Sequence, residues 1–178
     1  GAFVDKNGSG FGDKPDGLTI LEGEVRNEGY GADAFVGLDK SGVLHVGYYP
    51  LDDVLASEIT DGVSFGPVLI INGNVTDSAK IPSGVNPRTA IGQRADGAIL
   101  MLVIDGRQVH SIGATYSDLA RIMSDYGAIN ACNLDGGSSS VMVVNGKQIN
   151  DGIALTGAPP LPARPPPPQP AGLGIFGM

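Results

Sequence analysis

Residues 129–142 read Ile-Asn-Ala-Cys-Asn-Leu-Asp-Gly-Gly-Ser-Ser-Ser-Val-Met. A short apolar run comes first, then a carboxylate, two glycines and three hydroxyl side chains, and finally a second apolar run. Short apolar runs bounded by glycine and small polar residues are typical of buried strands. The pattern therefore predicts a strand, a tight polar turn and a second strand, with Asp135 at the end of the first strand.

This turn is richer in polar residues and glycine than a hairpin requires. Gly136 and Gly137 allow positive φ and bring backbone amides close to whatever lies above the turn. Ser138 and Ser139 add small hydrogen-bond donors, and a turn of this kind can form an anion-binding nest. A lone Asp-Gly pair would indicate only hairpin geometry. The longer polar stretch favours a functional site around Asp135.

Length and charge limit the class of protein. The chain has 178 residues, of which 42% are hydrophobic and 17% charged, which is typical of one folded globular domain. Its 11 Lys+Arg against 19 Asp+Glu give a net charge of −8. Nucleic acids and anionic membranes bind basic faces, so neither is an expected partner. No stretch approaches the roughly 20 apolar residues of a membrane span. Cys132 is the only cysteine, so no intrachain disulfide can form, and its apolar setting predicts burial.

A second strand is predicted to begin with a cation. The sequence from Asn86 to Gly92, Asn-Pro-Arg-Thr-Ala-Ile-Gly, places Arg88 and Thr89 at the start of this strand. A guanidinium followed by a hydroxyl is a good holder of a phosphate or carboxylate. The alternative for Arg88 is an ordinary surface charge.

A third strand is predicted to end in a carboxylate. The nearly continuous apolar run from Gly97 to Ile104 predicts a central strand buried on both faces. Asp105 follows it directly, so this carboxylate also lies at a strand terminus. A hairpin turn toward residues 109–112 explains Asp105-Gly106-Arg107 equally well.

The remaining patterns give the fold class. Apolar residues at helical spacing predict a short helix over residues 51–59 and a stronger one over 118–127. Glycine-containing turns at 39–42, 72–73 and 145–146 predict hairpins. We therefore expect a single α+β domain with a mixed, mostly antiparallel sheet and one or two packed helices.

Near the N-terminus, oxygen-bearing side chains alternate around a glycine, as they do in loops that wrap Ca²⁺. Read as a twelve-residue loop, positions 1, 3, 5, 9 and 12 are Asp5, Asn7, Ser9, Asp13 and Asp16, with Gly10 at position 6. A calcium site is one interpretation, and a plain surface loop without metal is the other.

The C-terminal part changes in composition. Residues 158–170 contain eight prolines, which exclude a helix or a central strand and predict extended polyproline II structure. The segment Gly172-Leu-Gly-Ile-Phe176 could form a terminal edge strand. We therefore divide the chain into a domain over residues 1–157 and a proline-rich tail over residues 158–178.

Three stretches together resemble the phosphodiester glycosidase family. They are Asn86-Pro-Arg-Thr-Ala-Ile-Gly92, Val103-Ile-Asp-Gly-Arg107, and the segment from Gly113 through the helix to Asn133-Leu-Asp-Gly-Gly-Ser-Ser-Ser140. The resemblance covers residue 1 to about residue 153. The family's N-terminal Asn-Gly-Gly motif is represented only by Gly1-Ala2-Phe3, so the start of the domain is expected to be truncated.

The resemblance implies cleavage of a glycosyl phosphodiester, or a related sugar linkage, in a surface or extracellular glycan. It implies a sugar phosphate or polysaccharide as substrate, an extracellular or cell-surface location, and no required cofactor. On this hypothesis Asp135 activates water or stabilises an oxocarbenium-like centre, with Asp105 as the second carboxylate.

The same hypothesis assigns the other site residues. Arg88 and Thr89 would bind the phosphate, and the Gly136 and Gly137 amides would orient oxygens together with the turn hydroxyls of Ser138 and Ser139. The alternative is a structural or glycan-binding module that keeps the fold without cutting its ligand. Such a module could assemble as a homo-oligomer through edge strands or the proline tail.

Overall fold

The computed structural model describes residues 3–4, 14–29 and 34–151. The calcium-loop residues before Lys14, the proline-rich tail and the segment 172–176 lie outside these described residues. Within these described ranges, two α-helices, α1 (Leu51–Ala56) and α2 (Tyr116–Asp125), lie among fourteen strands. In chain order the strands are β1 (Phe3–Val4), β2 (Lys14–Pro15), β3 (Thr19–Leu21), β4 (Glu24–Asn27), β5 (Ala34–Asp39), β6 (Leu44–Tyr48), β7 (Ile59–Ser64), β8 (Val68–Ile71), β9 (Asn74–Val75), β10 (Arg88–Arg94), β11 (Ile99–Ile104), β12 (Ala128–Leu134), β13 (Val143–Val144) and β14 (Lys147–Gln148).

Two five-stranded sheets form the body of the domain. The first sheet has the strand order β4-β3-β7-β5-β6, and the second has the order β11-β10-β12-β8-β9. Strand pairs β1-β2 and β13-β14 are separate two-stranded ladders. Every strand pair in the described part of the chain is antiparallel. The predicted α+β class with a mostly antiparallel arrangement is confirmed, and the strands are divided between two sheets.

The sheets and helices form four layers. Apolar residues from both sheets build a shared cluster that includes Val36, Val46, Val68 and Cys132. The outer face of the second sheet packs on α2, and the outer face of the first sheet packs on α1. Alternation of side chains along each strand explains how one strand can serve two layers.

Helix α2 is present as predicted, but it begins and ends two residues earlier than the predicted range 118–127. Thr115 caps the first turn, because its hydroxyl accepts from the Asp118 amide at 3.2 Å while the Asp118 carboxylate accepts from the Thr115 amide at 3.0 Å. Gly127 follows the helix with φ +85°. Leu119 and Met123 form the buried stripe that faces the second sheet.

Neither helix in the described ranges has the length and hydropathy needed to cross a bilayer.

The prediction of a helix through Ile59 is wrong at its C-terminal end. Helix α1 stops at Ala56, and Glu58 has φ +52°, which breaks the helical path. Ile59 instead begins β7, a strand whose sequence Ile-Thr-Asp-Gly-Val-Ser carries no clear strand pattern. The first sheet thus contains a central strand that the sequence does not indicate.

The prediction of a central strand over residues 97–104 is also wrong. Among the residues that the structure describes, strand β11 lies at the edge of the second sheet, with β10 as its neighbour. Leu100, Leu102 and Ile104 pack against the α2 cluster, whereas Met101 faces the other way and is 69% exposed. Alternate side chains of this continuous apolar run therefore point to a buried face and to an exposed face of the sheet.

Candidate active site

Three strand termini lie side by side at one end of the second sheet. Strand β10 starts at Arg88, and antiparallel pairing places this start between the ends of β11 and β12. Arg88 pairs with Ile104, and Thr89 pairs with Leu134. Asp105 and Asp135, the residues that follow the two neighbouring strands, therefore lie on either side of the Arg88-Thr89 pair.

The turn after β12 packs directly on the segment before β10. The Gly137 amide donates to the Pro87 carbonyl at 3.0 Å, and Gly137 has φ +62°. A Cβ added to Gly136 would lie 2.7 Å from the Pro87 carbonyl oxygen. Gly137 thus has the predicted positive φ, whereas Gly136 has the predicted close backbone approach, which is to Pro87 of the chain itself.

Asp135 is exposed at the tip of this turn. One carboxylate oxygen accepts the Gly136 amide at 2.8 Å, and the other accepts the Ser139 hydroxyl at 2.7 Å. These two bonds orient the carboxylate, and residues 137–139 form a single turn of 3₁₀-helix beside it. The Gly136 and Gly137 amides donate to protein acceptors, so their assignment to substrate oxygens stays a prediction. Ser138 is exposed on the same turn.

Thr89 is half-buried and contacts the last serine of the turn. Its hydroxyl donates to the Ser140 hydroxyl at 3.3 Å, and Ser140 is only 1% exposed. The Ser140 carbonyl in turn accepts the Asn150 side-chain amide at 2.8 Å. The sequence indicated Ser140 only as one of the three turn hydroxyls and did not indicate Asn150, because the contacts of both residues join segments that are distant in the chain.

Arg88 is 8% exposed and belongs to the scaffold of the site. Its Nε donates to the Ala114 carbonyl at 3.0 Å, and one terminal nitrogen donates to the Gly84 carbonyl at 2.7 Å. The guanidinium carbon lies 4.2 Å from the centre of the Tyr116 ring, a cation–π contact. These bonds tie β10 to the start of α2. Binding of a phosphate by Arg88 stays a prediction.

Asp105 is half-buried and anchors a later part of the chain. Its two carboxylate oxygens accept the Asn150 side-chain amide at 2.8 Å and the Asp151 backbone amide at 3.1 Å. After it, a turn closes through bonds from the Arg107 amide to the Ile112 carbonyl and from the Gln108 amide to the Ser111 carbonyl. The structure thus contains both the predicted turn and the strand-terminal carboxylate.

Two buried residues of β12 lie behind the turn. Asn133 is 2% exposed, and its side-chain amide donates to the Gly66 carbonyl at 2.7 Å, while its Oδ1 has no hydrogen-bond partner in the described part of the structure. An asparagine inside an apolar strand was the one sequence signal for this polar contact. Cys132 is fully buried, and burial raises the pKa of its thiol to about 12, so it is not a nucleophile at neutral pH.

Of the five predicted calcium ligands, Asp16 alone lies among the described residues, and it is exposed. Calcium binding there stays a prediction.

These features define a class of protein: a two-sheet α+β domain with a carboxylate-bearing Gly-Gly turn at the sheet edge. The family model for phosphodiester glycosidase matches residues 1–165. The chain therefore belongs to the phosphodiester glycosidase family, and the resemblance seen in the sequence is confirmed.

Several relatives place the chain within this family. It is 35% identical over 152 residues to the SPbeta prophage-derived uncharacterized protein YomE of Bacillus subtilis, which covers 77% of the chain and 23% of YomE. It is 28% identical over 143 residues to the human N-acetylglucosamine-1-phosphodiester alpha-N-acetylglucosaminidase, which covers 70% of the chain and 28% of the human protein.

A solved structure shows the same fold. The catalytic domain of the zebrafish N-acetylglucosamine-1-phosphodiester alpha-N-acetylglucosaminidase, auto-inhibited by its pro-peptide, superposes with a TM-score of 0.67 at 26% identity. The match covers 78% of this chain and 51% of the zebrafish chain. The chain thus spans about half of that catalytic domain and about a quarter of the length of the curated relatives.

Proposed function

We propose that this domain hydrolyses a glycosyl phosphodiester, or a related sugar linkage, in a surface or extracellular glycan. The observation that carries the proposal is that three strand ends lie together at one end of the second sheet, where Asp105 and Asp135 follow the two strands that flank the Arg88-Thr89 pair. Family membership supports the reaction class, and the names of the vertebrate relatives supply the sugar phosphodiester as the first substrate to test.

Cleavage of a glycosyl phosphodiester needs little protonation of the leaving group by an acid of the protein. The leaving group of a glycosyl phosphodiester is a phosphate monoester, which departs more easily than a sugar alkoxide. A carboxylate that activates water or stabilises positive charge at the anomeric carbon is still needed. Asp135 is exposed, and two hydrogen bonds fix its orientation, so it is suited to this role.

The phosphate side of the substrate is assigned to β10. Thr89 contributes a half-buried hydroxyl, and Arg88, the preceding residue of the strand, contributes a positive charge. The hydroxyls of Ser138 and Ser139 contribute polar contacts from the turn. Asp105 serves as the second carboxylate from the end of β11.

The test is release of free sugar from an N-acetylglucosamine 1-phosphodiester. We expect turnover by the 178-residue chain and a loss of about 100-fold or more in Asp135→Asn, the usual contribution of a catalytic acid or base. The matched control is Asp125→Asn, because Asp125 is an exposed carboxylate that precedes β12 whereas Asp135 follows it. Full hydrolysis by Asp135→Asn would overturn the assignment.

The rival proposal is a glycan-binding module without catalysis. The observation that favours it is that Arg88, the cation assigned to the phosphate, is buried and already donates to the Ala114 and Gly84 carbonyls of the chain itself. Calorimetric titration with the same sugar phosphodiester separates the two functions. Binding that depends on Thr89, combined with no sugar release, would support the module.

A further inference from the structure

Three side chains of metal-binding type meet beside the candidate active site. They are Asp105 after β11, His110 in the turn that follows, and Asp151 after β14. The His110 Nε2 lies 3.2 Å from an Asp151 carboxylate oxygen. One ligand atom from each of the three residues lies within 4.8 Å of the other two.

The first of these ligands is held in place by its surroundings. The Asp105 oxygens accept hydrogen bonds from the Asn150 side chain and the Asp151 amide. A carboxylate oxygen has more than one lone pair, so it can accept a hydrogen bond and bind a metal ion at the same time. Hydrogen bonds of this kind orient metal ligands and tune their affinity.

The other two ligands can adjust. The side chains of His110 and Asp151 are 56% and 71% exposed, so small rotations can bring their donor atoms closer together. Around a tetrahedral ion with ligands at about 2.0–2.2 Å, donor atoms lie roughly 3.4 Å apart. The His110–Asp151 distance already matches this spacing.

The donor set selects the kind of ion. One imidazole nitrogen and two carboxylates suit Zn²⁺, whereas Ca²⁺ and Mg²⁺ prefer oxygen ligands alone. Three protein ligands leave a fourth position for water. We propose that Asp105, His110 and Asp151 form a binding site for Zn²⁺ that joins the end of β11, the following turn and the segment after β14. With the ion bound, Asp105 acts as its ligand instead of as the second carboxylate assigned above, and the proposed role of Asp135 is unaffected.

The chain contains its own control for a simple ion pair. His45 and Asp39 form the same type of contact at 2.9 Å, in the first sheet, and the described residues add no third ligand there. The chain has two histidines in total, so each can be followed separately.

The experiment titrates the untagged, chelator-treated chain with Zn²⁺ by calorimetry in a buffer that does not bind metal. We expect one site, and an affinity at least about 10- to 100-fold weaker in His110→Gln and Asp151→Asn, since loss of an outer-shell partner alone costs that much. His45→Gln should bind like the unmodified chain, and Ca²⁺ should not compete.

Nuclear magnetic resonance of the imidazole rings gives a second readout. Zn²⁺ should shift the His110 ring signals and leave those of His45 in place. Equal Zn²⁺ affinity of the unmodified chain and His110→Gln, equal shifts of both rings, or no binding at all would overturn the proposal and leave an exposed ion pair only.

Discussion

The amide of Gly137 donates a 3.0 Å hydrogen bond to the carbonyl of Pro87. This bond joins the Asp-Gly-Gly turn to the Asn-Pro-Arg-Thr segment, two motifs that are far apart in the chain. Through it the position of Asp135 depends on the start of β10, so the geometry of the candidate site is set by backbone contact between the motifs.

Substitutions at the two glycines should have unequal costs. Gly136→Ala places a Cβ 2.7 Å from the Pro87 carbonyl oxygen, and a backbone atom cannot move away easily. We expect a loss of about 2–3 kcal/mol in the free energy of unfolding. Gly137→Ala meets no atom within 4 Å and loses only about 1 kcal/mol through its positive φ. Urea unfolding of both variants measures the difference, and an equal or reversed order would contradict the packing described.

Arg88 should be more important for stability than an exposed arginine of the same strand. Arg88→Lys loses the fixed fork that reaches the Ala114 and Gly84 carbonyls and the contact with Tyr116, at a cost of roughly 2 kcal/mol. Arg94→Lys keeps an exposed pair with Asp96 and should change stability by less than about 0.5 kcal/mol. Thermal unfolding of both variants gives the comparison, and similar melting temperatures would remove Arg88 from the scaffold.

The contact between His45 and Asp39 should give the fold part of its acid sensitivity. The hydrogen bond from His45, with further bonds from the Val43 and Ser41 amides, lowers the Asp39 pKa below its usual value near 3.8. A lowered pKa in the folded state adds stability above pH 3.8 and loses it as the pH falls through the folded-state pKa.

Urea unfolding of Asp39→Asn at a series of pH values tests this effect. We expect the variant to be less stable than the unmodified chain near neutral pH. The difference in the free energy of unfolding should become smaller as the pH falls below about 4. His45→Gln removes only the largest of the three contacts with Asp39. Its loss in the free energy of unfolding should therefore be smaller, and it should decrease over the same pH range. A gap that stays constant down to pH 2 would exclude this origin of acid sensitivity.

Cys132 should be inert in the folded chain. Burial removes the thiol from solvent and raises its pKa to about 12, so the reactive thiolate is scarce at pH 8. A thiol-specific chromogenic disulfide should label the native chain very slowly and the chain in guanidinium rapidly. Rapid labelling under native conditions would mean that β12 opens locally, since it lies at the centre of the second sheet.

The chain alone determined the local elements and the ends of the key strands. The capped α2, the Asn-Gly hairpins and the charged residues at the ends of β10, β11 and β12 follow from periodicity and turn chemistry, which are properties of short segments. The glycines of the turn were predictable for the same reason.

Tertiary structure alone decided which strands are neighbours and what each polar group contacts. The apolar run of β11 could not indicate an edge position, because hydrophobicity does not specify how many strands pair with it. The weakly patterned β7 became a central strand because β3 and β5 pair with it on both sides. Contacts of Asp105 with Asn150 and Asp151, and of Arg88 with Tyr116, join residues separated along the chain, and only folding brings such residues within hydrogen-bonding or stacking distance.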